Sequence, residues 1–114
     1  MNSCLFCRIV QRRAPAKIVH EDDWVVAIED INPQAPVHLL VIPRKHIPSL
    51  EHANQDDEIL LGRLFTVAAK LARERGLPAN GYRTVINTGS FAGQSVFHLH
   101  VHVLGGRVFR WPPG

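Results

Sequence analysis

The stretch Val96-Phe97-His98-Leu99-His100-Val101-His102-Val103-Leu104 alternates histidine with apolar residues from Phe97 to Val103. Period-two alternation marks a strand with one apolar face. Residues two apart on a strand share that face, about 6.6–6.8 Å from each other. The spacing predicts a last strand over 96–104. It places His98, His100 and His102 on one face, with Phe97, Leu99, Val101 and Val103 in the core.

Working back from that strand, Thr88 to Ser95 reads as a glycine-containing loop, and Tyr82 to Asn87 as a strand centred on β-branched Thr84, Val85 and Ile86. One long helix precedes them. Asn54-Gln55-Asp56-Asp57 opens it with an acidic first turn that complements the helix dipole. Leu60, Leu64, Val67 and Leu71 recur at helical spacing, and Gly76 followed by Pro78 stops it. Val37 to Ile42 is nearly all apolar around His38, the profile of a central strand ended by Pro43. Lys17 to His20 and Trp24 to Ile28 read as two strands joined by Glu21-Asp22-Asp23. A short first helix runs through Cys4, Phe6, Cys7, Ile9 and Val10, with Asn2 or Ser3 as its cap. About five grouped strands with one long and one short helix indicate an α+β domain on an antiparallel sheet.

The chain has 114 residues, 46% hydrophobic and 20% charged, which is one ordinary folded domain over 1–114. It carries no apolar run of the about 18 residues that a membrane span needs. The start lacks a basic-then-apolar leader pattern, so a cytoplasmic location is expected. Net charge is +3, but Arg12-Arg13, Arg44-Lys45 and Arg73/Arg75 form no continuous stripe. A small anionic ligand is expected rather than a polynucleotide.

Three readings of the histidine ladder follow from its chemistry. It is a half-exposed strand, a metal site, or a nucleophilic imidazole with neighbours that fix its tautomer and supply a proton. The preceding Asn87-Thr88-Gly89-Ser90-Phe91-Ala92-Gly93-Gln94-Ser95 favours the third. Its glycines permit close approach to an anion, successive N–H groups can cradle phosphate oxygens, and Gln94 and Ser95 add donors. Cys4 and Cys7, three apart on a helix, read as half of a metal site, a redox pair, or two small buried residues.

At this point the chain resembles the histidine-triad (HIT) family. Its signature of histidines alternating with apolar residues is matched by His98-Leu99-His100-Val101-His102-Val103-Leu104. Asp30-Ile31-Asn32-Pro33-Gln34-Ala35-Pro36-Val37-His38, Val41-Ile42-Pro43-Arg44-Lys45-His46-Ile47, Gly93-Gln94-Ser95-Val96, and Gly105-Gly106-Arg107 through Trp111-Pro112-Pro113-Gly114 look like the family's Hint branch. His102 stands where the nucleotidyltransferase branch has glutamine.

The resemblance implies hydrolysis of purine nucleoside 5′-phosphoramidates, with dinucleoside polyphosphate hydrolysis or nucleotide binding with little turnover as alternatives. His100 would be the nucleophile, flanked by His98 and His102, with His38 completing the cluster and Ser95 near the departing amine. Asp30 would hold the ribose, although alone it reads as a turn aspartate. Ile31, Ile28 and Phe6 would wall the base, although each could be ordinary core. Asn87, Gly93, Gln94 and Ser95 would hold the phosphate. No metal is needed for that chemistry. Cys4, Cys7, His46 and His98 would bind a structural zinc. A homodimer is implied, whose tail, 105–114, places Trp111 toward the partner's active site.

Overall fold

The structure, a computed structural model, describes residues 3–114. In chain order the elements are α1 (Leu5–Val10), β1 (Ile18–Glu21), β2 (Val25–Glu29), β3 (Val37–Pro43), α2 (Glu58–Glu74), β4 (Tyr82–Val85) and β5 (Val101–Gly105). The strands form one antiparallel sheet in the order β1-β2-β3-β5-β4. This is the expected α+β architecture. None of the described helices is long and apolar enough to cross a membrane.

The central strand β3 is buried on both faces, as its apolar run requires. Leu39 and Val41 point into a core closed by Leu60, Leu64, Val67, Leu71 and Ala72 of α2. Leu40 and Ile42 point the other way, against Phe6, Ile9 and Val10 of α1. Each fully buried Leu, Ile or Val contributes about 1.5–3 kcal/mol. Helix α2 begins after a 3-10 turn over Gln55–Asp57, where Asn54 and Asp57 cap each other's backbone N–H groups. Gly76, at φ 71°, ends it in the left-handed conformation that glycine tolerates.

Helix α1 starts one residue later than expected: Cys4 is its cap, with the sulfur accepting from the Cys7 N–H at 3.4 Å. Ser3 is not the cap, and Asn2 lies outside the described residues.

The last strand is shorter than the alternation predicts. It begins at Val101, which pairs with Val41, and residues 96–100 are irregular. Continuing the register would set Leu99 beside Pro43, which has no N–H to offer. The Leu99 N–H turns instead to the Ile47 carbonyl at 2.7 Å. Leu99, Val101 and Val103 still fill the α2-side core, but Phe97 is 51% exposed and leaves it.

Candidate functional site

The histidines come together on the α1 side of the sheet. His102 pairs with Leu40, and directly opposed residues share a face, so His38, Leu40 and His102 all lie there. The His38 and His102 ring centroids are 5.2 Å apart, and those of His100 and His102 are 5.0 Å apart.

Hydrogen bonds assign the neutral tautomers one after another. The Gln34 N–H donates to His38 Nδ1 at 3.0 Å, so the His38 proton is on Nε2. That Nε2–H donates to His102 Nδ1 at 2.9 Å and lies 3.3 Å from an Asp30 carboxylate oxygen. The His102 proton is therefore on Nε2. His100 is set the other way round. Its Nδ1–H donates to the His98 carbonyl at 2.7 Å, leaving a lone pair on Nε2.

Burial keeps these rings neutral. It lowers the pKa of His100 below the usual 6.5, opposed by the bond to the His98 carbonyl. His102 is pushed down to about 4, by burial first and then by His100 and His38. Burial also lowers His38, against the pull of Asp30. The result is one neutral imidazole with a bare nitrogen beside another that carries an N–H. Such a pair can attack an electrophile and donate to the oxygens on it.

His98 faces elsewhere. Its Nε2–H donates to the Pro43 carbonyl at 2.7 Å, which directs Nδ1 toward the cysteines. Nδ1 is 3.4 Å from Cys4 Sγ, 3.5 Å from Cys7 Sγ and 3.1 Å from His46 Nδ1. Cys7 Sγ is 3.3 Å from His46 Nδ1. Tetrahedral zinc bond lengths give N–N and N–S edges of about 3.3–3.6 Å. The three N–S distances match those edges and the N–N distance of 3.1 Å is slightly shorter. The donors thus suit such an ion in type and nearly in spacing, and the Pro43 bond would give the outer support that metal-bound imidazoles use. The expected set is assembled from positions up to 94 apart in sequence.

A metal site made of His98, His100 and His102 together does not form, because His98 and His100 are turned apart by the Pro43 and His98 carbonyls. His98 acts on the cluster through its backbone, and its side chain does not flank His100 as expected.

The HIT domain pattern matches residues 11–109. The chain belongs to the HIT family. An uncharacterised HIT-like protein of Synechocystis is 51% identical over 110 residues, 96% of each chain. A HIT family hydrolase from Legionella pneumophila is 51% identical, with a TM-score of 0.96 over 98% of this chain and all of its own. One from Clostridium thermocellum is 45% identical, with a TM-score of 0.90 over 94% of this chain and 93% of its own.

Other expected residues of this HIT chain divide sharply. Asp30 accepts from the Asn32 N–H at 2.8 Å and borders His38. Phe6 is buried, with its ring 5.0 Å from that of His100. Ile28 lies in the α1-side core beside it. Ile31, next in sequence to Asp30, is 95% exposed, and Trp111 is 82% exposed. Asn87 lies two residues beyond Val85, whose register partner is His102. Ser95 is exposed at the end of the loop.

Gln94 is a correction. Its side chain accepts from the Gly89 N–H at 2.9 Å and donates to the carbonyls of Pro48 at 2.8 Å and Val96 at 3.2 Å. Its own N–H goes to Gly89 and that of Gly93 to Ser90. Gln94 therefore holds the loop in shape and is not a donor to a ligand. Sequence reading missed Gln34 and Pro43, which act through backbone groups that no side-chain pattern reports.

Proposed function

We propose that this HIT chain hydrolyses purine nucleoside 5′-phosphoramidates through a covalent nucleotidyl-histidine at His100. One observation carries the reading: His100 is neutral and buried, with its Nδ1–H held by the His98 carbonyl and its Nε2 lone pair left for phosphorus. Nε2 attacks phosphorus in line, the P–N bond breaks, and the nitrogen leaves as an amine with a proton that the Ser95 hydroxyl relays from solvent water. Charge developing on the phosphoryl oxygens is met by the His102 Nε2–H and the Ser95 backbone N–H. Water then adds to phosphorus, returns a proton to solvent and breaks the P–Nε2 bond. The nucleoside monophosphate leaves and His100 returns to its starting tautomer. The Asp30 carboxylate has lone pairs beyond its bond to Asn32 with which to accept the ribose hydroxyls.

The relatives described as HIT family hydrolases support a hydrolytic reading. The donor set of Cys4, Cys7, His46 and His98 supports a zinc ion that holds α1 to the sheet and takes no part in bond breaking. Strand β4 lies at the sheet edge and Trp111 is largely exposed, which supports a homodimer with Trp111 turned to the partner's site.

The test is hydrolysis of adenosine 5′-phosphoramidate by the wild type, His100→Ala and His102→Ala. Loss of about three orders of magnitude or more in His100→Ala, with nucleotide affinity kept, is the expected result. A His100→Ala protein as active as wild type overturns the mechanism. Nucleotide binding by a wild type that traps no nucleotidyl-histidine would instead favour a binding role.

A further inference from the structure

Helix α1 presents three side chains within one turn to two different places. Cys4 caps it and Cys7 lies in its first turn, both in the four-donor cluster. Phe6, between them, sets its ring edge-on to His98 at 6.0 Å and to His100 at 5.0 Å. His98 is divided in the same way. Its Nδ1 faces the two sulfurs at 3.4 and 3.5 Å, while its carbonyl accepts the His100 Nδ1–H at 2.7 Å. Two short paths therefore run from the cluster to His100, one through a single backbone residue and one through a single ring.

The helix that carries this arrangement has six residues. Helices shorter than about 12 residues are marginal in water, so α1 depends on what it is packed and tethered to. Cys4 and Cys7 are its tether to His46 and His98, at the end where the helix begins.

We infer that the four-residue cluster positions the nucleophile. Gathering Cys4, Cys7, His46 and His98 around one zinc ion holds the His98 carbonyl and the Phe6 ring against His100, and so keeps His100 in the tautomer with Nε2 bare. His98 and Phe6 are positioning residues in this scheme. The inference rests on the reading of His100 as nucleophile, and it extends the ion's role from holding the fold to setting the reacting group. With the cluster empty, α1 loosens, the His98 carbonyl is no longer held, and His100 samples both tautomers.

The experiment compares the ¹⁵N signals of the His100 imidazole in protein loaded with a zinc salt and after removal of zinc by a chelator, at one neutral pH. Circular dichroism checks that the fold remains. Loaded protein is expected to show a protonated Nδ1 and a bare Nε2, and stripped protein an average of the two tautomers. Turnover of adenosine 5′-phosphoramidate is expected to fall about ten- to hundredfold in kcat with KM nearly unchanged, the mark of a misplaced reacting group. Identical His100 signals and kcat with and without zinc overturn the inference, as does a protein that takes up no zinc.

If stripping unfolds the chain, Phe6→Leu in loaded protein takes its place, since it keeps all four donors. Retained zinc with altered His100 signals and lowered kcat supports the inference. Unchanged signals, or a rise in KM alone, overturn it. The signals are read in resting protein, so a zinc-dependent His100 pattern in a chain that hydrolyses nothing would sink the proposed reaction and leave the coupling standing.

Discussion

At the scale of single residues, a backbone group places the proton on each of three imidazoles. The Gln34 N–H, the His98 carbonyl and the Pro43 carbonyl do this for His38, His100 and His98. Neutral buried rings also link stability to pH. His102 has an ordinary value near 6.5 in the unfolded chain and about 4 in the folded one. Between those values the unfolded chain binds more protons, so stability falls as pH falls from above 6.5, and the loss is complete below about 4. Urea midpoints measured from pH 7.5 to pH 4 should show this decline, and His102→Gln should flatten it. Gln94 offers a second test at this scale. Gln94→Ala removes three hydrogen bonds and leaves the Gly89 N–H and two carbonyls to find new partners. A cost of about 1–3 kcal/mol is expected from thermal unfolding, with a fall in kcat as the loop loses its shape.

At the scale of elements, α2 and the end of β5 carry the stability. Leu64 has no exposed surface in the core under the sheet. Leu64→Ala should cost about 2–5 kcal/mol, and Asn54→Ala, which opens the cap before α2, about 1 kcal/mol. Chemical denaturation distinguishes the two: a smaller loss at Leu64 than at Asn54 would contradict this account of the core. Gly105 closes β5 where a Cβ would meet Leu77 Cδ2 at 2.6 Å. Gly106 follows at φ 92°, with a Cβ 2.8 Å from Pro36. The pair lets the strand end pack closely against the 3-10 turn of Leu77 on one side and Pro36 on the other.

At the scale of the whole molecule, the tail and the sheet edge remain to be used. The tail is held along the chain by Arg83, which donates to the Arg110 carbonyl at 3.0 Å, and by Arg107 stacked on Phe109 at 4.2 Å. Trp111 beyond it is exposed, so Trp111→Ala should change folding stability by less than about 0.5 kcal/mol. If two chains complete each other's sites, the same variant should lower kcat/KM, and sedimentation should show a dimer. An unchanged kcat/KM would remove the tail from the site.

Much of this was legible in the chain itself, because the deciding signals are local. The alternation around His98, His100 and His102, the apolar run of β3 and the helical spacing of Leu60, Leu64, Val67 and Leu71 follow from backbone periodicity, which each segment carries alone. They determined the sheet, the long helix and the choice of histidines. Where β5 begins was not legible, since it depends on Pro43 in the neighbouring strand having no N–H, and that also released Phe97 from the core. Nor was the full division of the ladder, with the His98 ring turned from His100 and His102, although the resemblance had already set His98 with the cysteines. That division depends on the carbonyls of Pro43 and His98 and the N–H of Gln34, backbone groups that every residue has and that gain meaning only from what folding sets beside them.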